Sequence, residues 1–363
     1  MYTVSRGIMV MSSFFNENFK HLTPYTPGEQ PQDKRYVKLN TNESPFPPAP
    51  GVLKVVNEAE AKNLRLYSDP ELKPLKAAIA ETFSVEPANV FIGNGSDECL
   101  NFAFMAFGGD GMAYPDISYG FYPVFAAVNH IESDVKPLTT DFRIKVEDYF
   151  GIGKSLVLAN PNAPTGLTIS RTDVAALCEK NPSHVVIIDE AYVDFSEEPV
   201  SAVGLTKTYK NLLVVQTFSK SRSLAGARVG FAIGDAALIQ DLETIKFSTN
   251  PYNVNRLSMA AAVESIKDQA YTFSNVKKIQ ENRKYTTEAL ETLGFMVLPS
   301  QANFIFVRTN KIDGGSLYRR LKEEGVLVRH FESERIRDFV RITIGSREDM
   351  EMLVAKIKGI ISA

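Results

Sequence analysis

Val185-Val186-Ile187-Ile188 is an unbroken β-branched run that stops at the acidic pair Asp189-Glu190. A strand with one wet face alternates apolar and polar residues. A run without alternation marks a strand covered on both faces, which places it in the middle of a parallel sheet. Such a sheet needs crossover helices. From about residue 52 apolar runs do alternate with amphipathic stretches, and strands are predicted over 89–92, 111–114, 155–159, 184–188, 211–217 and 229–233. The expected fold class is α/β: a large unit with a mostly parallel central sheet covered by helices, joined to a small α+β unit.

The flanks set the expected organisation. Residues 1–50 are rich in Pro, Asn and Gln and end in Pro45-Phe46-Pro47-Pro48-Ala49-Pro50, where fixed φ and missing donors forbid a regular helix or central strand. This part reads as an arm lying over the rest and contributing to the small domain. Within it, residues 1–10 precede a second methionine, Met11, and are expected to be poorly ordered. A large domain is expected over 51–264. A long amphipathic helix is predicted over 262–293 and leads into a C-terminal small domain, 265–363. There, strands are predicted over 295–298, 303–308, 326–331 and 339–344, with helices over 315–324 and 349–361.

Composition closes several functional classes. Forty Lys and Arg stand against 43 Asp and Glu, and no basic run offers a footprint for nucleic acid. Cys99 and Cys178 have no C-x-x-C spacing and the chain has four His, so neither a metal site nor a disulfide framework is expected. No stretch approaches the ~18 apolar residues that span a bilayer, and no apolar N-terminal run suits a signal peptide, so a cytoplasmic location is expected.

In a doubly wound sheet, ligands bind beyond the carboxyl ends of the strands. After the first predicted strand comes Gly93-Asn94-Gly95-Ser96-Asp97-Glu98, opening a helix whose free N–H groups could cradle a phosphate. After 155–159 comes the rigid turn Asn160-Pro161-Asn162-Ala163-Pro164-Thr165-Gly166. The central strand ends at Asp189-Glu190-Ala191-Tyr192, where a carboxylate needs a partner. After 211–217 comes Ser219-Lys220, with Arg228 eight residues beyond the lysine. Taken singly, these are a tight turn, a Pro/Gly loop, a helix cap and a surface lysine. At one sheet edge they form the set that pyridoxal 5'-phosphate demands: a lysine to carry it, an acid for its ring nitrogen, and Ser, Arg and backbone N–H groups for its phosphate.

Through Asn-x-Pro-Thr-Gly, Asp-Glu-Ala-Tyr and Ser-Lys-x(7)-Arg, the sequence resembles the fold-type I pyridoxal-phosphate aminotransferases over nearly its whole length. Within them it looks most like the histidinol-phosphate aminotransferase family. That likeness rests on Leu22-Thr23-Pro24-Tyr25, Leu39-Asn40-Thr41-Asn42-Glu43-Ser44-Pro45, Thr217-Phe218-Ser219-Lys220, Leu224-Ala225-Gly226, Gly325-Val326-Leu327-Val328-Arg329 and Arg341-Ile342-Thr343-Ile344-Gly345. The resemblance implies that Lys220 carries the cofactor and shuttles a proton, Asp189 pairs with the pyridinium nitrogen and Tyr192 binds O3′. It gives the phosphate to Gly95, Ser96, Asp97, Ser219 and Arg228, and the ring face to Tyr119. The family's O3′ asparagine immediately precedes Pro-Thr-Gly. That position here is Ala163, so Asn162 is the expected substitute. Tyr67 matches a tyrosine that reaches the neighbouring subunit's site, implying a homodimer. Tyr25, Asn42, Glu43, Arg329 and Arg341 are the implied substrate residues.

The implied reaction is reversible amino transfer between L-glutamate and imidazole acetol phosphate, giving L-histidinol phosphate and 2-oxoglutarate in histidine biosynthesis. Lys220 and Asp189 would equally serve a relative acting on another phosphorylated or aromatic amino acid, such as a threonine-phosphate decarboxylase or an aromatic aminotransferase. A non-catalytic cofactor-binding module and a dinucleotide oxidoreductase are the readings from other classes. The former lacks a basic DNA-binding segment, and the latter lacks the third glycine of its fingerprint.

Overall fold

The computed structural model describes residues 12, 14–23 and 25–362; the expectation for residues 1–10 lies outside them. In chain order the strands are β1 (Val37–Lys38), β2 (Val90–Gly93), β3 (Met112–Pro115), β4 (Ser133–Lys136), β5 (Ser155–Ala159), β6 (Val186–Asp189), β7 (Leu212–Thr217), β8 (Gly230–Gly234), β9 (Met296–Val297), β10 (Phe304–Arg308), β11 (Val326–Leu327), β12 (Arg329–His330) and β13 (Val340–Thr343).

A seven-stranded sheet has the order β2-β8-β7-β6-β5-β3-β4, parallel except for β8, which runs against both its neighbours. β6 is its middle strand. Val186 and Ile188 enter one hydrophobic core and Val185 and Ile187 the other, which is why the run lacks polar alternation. A second sheet, β12-β13-β10-β9, is antiparallel, and β1 pairs with β11 in parallel, tying the arm to this smaller unit. A mixed cluster in which Ile117, Leu138 and Phe142 meet Phe306, Ile336 and Phe339 packs the two units together.

Three expectations on elements need correction. The helix predicted over 262–293 is two, Arg256–Lys267 and Gln269–Thr292. Asp268 interrupts it, because its carboxylate caps the second helix by accepting from the Tyr271 N–H at 3.0 Å. The strand predicted over 326–331 divides at Val328, with β11 pairing to the arm and β12 to β13. The edge strand β4 was not expected: Ser-Asp-Val-Lys is half exposed and charged, which protects an open edge but erases the apolar signal. No described helix is long and apolar enough to cross a membrane.

Candidate active site

β8 explains how residues on either side of a turn meet. Because it is antiparallel, its first residue, Gly230, pairs with both Gly93 and Thr217, the carboxyl ends of β2 and β7. The residues just before β8 therefore arrive at the same edge as those just after β2, β6 and β7. At that edge lies a cavity of about 320 Å³ lined by Ser96, Asp97, Tyr119, Asp189, Tyr192, Ser219, Lys220 and Arg228, with Thr41 and Glu43 from the arm. Its size suits a small-molecule site, for which ~300–1,000 Å³ is usual.

The cradle at one end depends on two glycines. Gly95 has φ +80°, and a Cβ there would lie 2.5 Å from an Arg228 guanidinium nitrogen; a Cβ on Gly230 would lie 2.2 Å from the Ser96 nitrogen. Without side chains at these points, the N-terminus of the helix Ser96–Phe107 comes close to Arg228, which donates to Ser219 Oγ at 3.3 Å and to Asp97 Oδ2 at 3.1 Å. Helix N–H groups, a hydroxyl and a guanidinium thus converge as an anion site.

At the other end, Asp189 closes β6 and is buried. It accepts from the Tyr122 hydroxyl at 2.9 Å and the Ala191 N–H at 3.2 Å, yet burial outweighs both and pushes its carboxyl up to about 6. Its neighbour Glu190 turns away from the cavity to Ser201, Gln216 and the Ala202 N–H, at 2.8, 2.8 and 2.5 Å, and so fixes the turn. Lys220 Nζ donates to the Thr41 carbonyl at 3.1 Å and sits 5.7 Å from the Tyr192 ring centre. Burial, followed by the Arg341 charge, lowers its ammonium to about 8. The Tyr192 hydroxyl accepts from Asn42 Nδ2 at 3.0 Å. Asn42 holds a left-handed φ of 57°; Thr343 Oγ accepts from its N–H and donates to its Oδ1, both at 3.0 Å.

Other sequence-predicted residues stand around the cavity in different ways. The Tyr25 ring packs on Phe121 at 4.3 Å. Glu43 is held by Lys38 at 2.7 Å and by the Thr41 hydroxyl at 2.9 Å. Arg341 is half-buried and donates to the Asn40 carbonyl at 3.0 Å, while its buried Nε has no hydrogen-bond partner among the described residues. Tyr67 is 80% exposed and stacks on Tyr252, away from the cavity of its own chain.

Two residues are engaged elsewhere. Asn162 does not line the cavity: its amide nitrogen donates to the Ile117 carbonyl and Thr165, its oxygen accepts from Ser118, and Ala163 faces the space instead. The Arg329 guanidinium donates to the Thr26 and Pro27 carbonyls at 3.0 and 3.2 Å, so it holds the arm. Sequence reasoning missed Tyr122, Thr41 and Thr343. A signal existed only for Tyr122, three residues past Tyr119 and so on the same side of a helical turn.

The mixed sheet with its small antiparallel unit, and an anion cradle, a buried strand-end carboxylate and a lysine of lowered pKa at one sheet edge, have the architecture of the fold-type I pyridoxal-phosphate transferases. Residues 34–357 match the family model for aminotransferases of class I and II. A histidinol-phosphate aminotransferase of Brachyspira hyodysenteriae is 50% identical over 97% of this chain and 99% of its own length, and one of Oceanobacillus iheyensis is 47% identical over the same shares. The crystal structure of histidinol-phosphate aminotransferase from Sinorhizobium meliloti, in complex with pyridoxal-5'-phosphate, superposes with a TM-score of 0.87 at 25% identity, covering 98% of this chain and 99% of that one. The chain belongs to the class I and II aminotransferases and, within them, to the histidinol-phosphate aminotransferase family.

Proposed function

We propose that this chain, holding pyridoxal phosphate, exchanges an amino group between L-glutamate and imidazole acetol phosphate, yielding L-histidinol phosphate and 2-oxoglutarate. The observation that carries the reading is Lys220, an amine of lowered pKa in the same cavity as buried Asp189 and the anion cradle of Ser96, Ser219 and Arg228. These residues fit the cofactor: two glycines keep the cradle open, and Asp189 has no cationic hydrogen-bond partner among the described residues. Bound there, pyridoxal phosphate would supply a ring that takes up the electron pair left when an amino-acid carbon loses its proton.

The chain's own groups do the rest. Lys220 would hold the cofactor and, as a free amine, its Nζ would accept the proton lost by the carbon that bears the amino group and return it to the cofactor carbon that takes up the nitrogen. Asp189, as an anion, would keep the ring nitrogen protonated. Tyr192, oriented by Asn42, would donate to the ring oxygen; Ala163 cannot, and Asn162 is already committed.

For the substrate's anionic end, Arg341 has capacity to spare, since its buried Nε is unpartnered. Arg329 acts through the arm that carries Tyr25. Arg341→Lys is accordingly expected to raise KM for glutamate and for histidinol phosphate about 10–100-fold, the loss of one charge-assisted pair. Arg329→Lys should change both by less. Steady-state kinetics with each substrate checks this, and a larger effect at Arg329 would reverse the assignment.

The working unit is a homodimer in the cytoplasm. Leu53, Leu64, Leu66 and Tyr67 are exposed apolar side chains within fifteen residues of one another in sequence, and exposed Tyr252 stacks on Tyr67, which suits burial against a second copy. Light scattering should give twice the chain mass. Tyr67→Ala should weaken cofactor retention about tenfold while leaving the fold intact, as removal of a hydrogen bond to a charged phosphate does.

The deciding experiment is an absorbance scan of the cofactor-loaded protein with L-histidinol phosphate and, separately, L-glutamate. Both are expected to convert the visible band to the near-ultraviolet band of the aminated cofactor. Release of CO2 from L-threonine phosphate without a 2-oxo acid would overturn the substrate.

A further inference from the structure

The two acidic residues in the first turn of the helix Ser96–Phe107 perform different tasks. Glu98 accepts from the Asn94 N–H at 2.6 Å and from Asn253 Nδ2 at 2.5 Å, which secures the turn leading into the helix. Asp97 accepts from no backbone N–H among the described residues. Its Oδ1 takes the Tyr119 hydroxyl at 2.6 Å and its Oδ2 takes an Arg228 nitrogen at 3.1 Å. One carboxylate therefore links the arginine of the anion cradle to an aromatic ring that also lines the cavity. Tyr119 in turn stands edge-on to Tyr122, ring centres 5.6 Å apart, and Tyr122 donates to Asp189.

An acid beside a guanidinium that must bind an anion is a competitor for it. Here the competition takes one nitrogen of Arg228; the other is directed to Ser219. The Tyr119 hydroxyl has Asp97 as its one hydrogen-bond partner among the described residues. Burial and the adjoining carboxylate push that phenol far up, so it stays a donor. Without its acceptor, the ring would keep its packing on Phe121 and Tyr122 but lose the contact that fixes its tilt and height.

We infer that Asp97 is a positioning residue whose carboxylate oxygen holds the Tyr119 ring in place over the cofactor site, in addition to orienting Arg228. This rests on the cofactor reading above and deepens it, assigning to the Asp97 side chain a task distinct from the phosphate binding that the resemblance implies for this turn.

Removing the charge at Asp97 would by itself alter phosphate affinity, so the comparison must be between two neutral variants. Asp97→Asn keeps an oxygen acceptor for the tyrosine; Asp97→Ala does not. Each is made alone and with Tyr119→Phe, and pyridoxal phosphate is titrated into the apo-protein, following the visible band and its circular dichroism. With Tyr119 intact, Asp97→Ala should bind about five- to tenfold more weakly than Asp97→Asn, the scale of one net hydrogen bond, and should show a reduced dichroic signal. In the Tyr119→Phe background the difference should shrink, because the hydroxyl's share is then gone and only the Arg228 contact, which the asparagine oxygen can still accept, remains. Equal binding with Tyr119 present, or a difference that Tyr119→Phe leaves undiminished, would overturn the inference while leaving the cofactor reading standing. Absence of the band in the unmodified protein would instead remove that reading, and this inference with it.

Discussion

Lys220→Ala is expected to abolish the visible band formed with pyridoxal phosphate and to lower kcat for amino transfer by at least about 10²–10⁴-fold, the range contributed by a positioned proton carrier. Among the described residues Lys220 is the single amine lining the cavity; the other basic group there is Arg228, whose guanidinium does not give up its proton near neutrality. Lys38, nearby on the arm, is paired with Glu43. Lys220→Arg should fail almost as fully, which separates loss of a transferable proton from loss of charge. A second consequence follows from the lowered pKa of about 8. The neutral amine is the form that reacts, so the rate at which apo-protein acquires the band should rise with pH through about 8 and level off above it. An ordinary lysine would keep rising towards about 10.4. Stopped-flow absorbance checks this, and normal turnover by Lys220→Ala would sink the mechanism.

The residues legible in the sequence share one property: each directly follows, or directly precedes, a buried strand. Asp189 ends β6, Ser219 and Lys220 follow β7, and Gly95 to Asp97 follow β2, so the sheet rule alone brings them together. Arg228 was readable for the same reason, because the strand after it returns along β7. Thr41 and Thr343 carried no such mark. Thr41 acts through a backbone carbonyl, to which the side chain is irrelevant, and Thr343 acts on Asn42 across about three hundred residues of chain. Arg329 and Arg341 looked equivalent in sequence, both on short strands. Only the path of the arm tells them apart, because it places two carbonyls against the Arg329 guanidinium and one against that of Arg341, whose Nε is left without a partner among the described residues. The break at Asp268 was hidden because an aspartate in a helical pattern reads as an exposed face until its carboxylate is seen to cap the next turn.

Asp189→Asn is expected to raise the stability of the apo-protein at pH 8 while lowering kcat about 10²–10³-fold, the usual loss when one preorganised charge is removed. The folded carboxyl titrates at about 6, against about 3.9 unfolded, so the folded state binds the proton more tightly. A group raised in this way contributes stability that is fully present below about pH 4 and is lost as pH rises through 6. Above that, the buried anion costs the apo-protein on the order of 3 kcal/mol. Asparagine carries no charge at any of these pH values, so the difference between variant and parent should be near zero at pH 4 and grow to its full size by pH 7. The local hydrogen bonds tolerate the change: the amide oxygen can still accept from the Ala191 N–H, and the Tyr122 hydroxyl can reverse to accept from the amide nitrogen. In the loaded protein the sign inverts, because the anion then has a protonated ring nitrogen to pair with and the amide does not. Thermal melts of apo and loaded forms at pH 4, 6 and 8 read both effects. An apo variant no more stable than the parent at pH 8 would mean that the carboxylate is not held at the expense of the empty fold. The site would then be less preorganised for a cationic ring than its burial indicates.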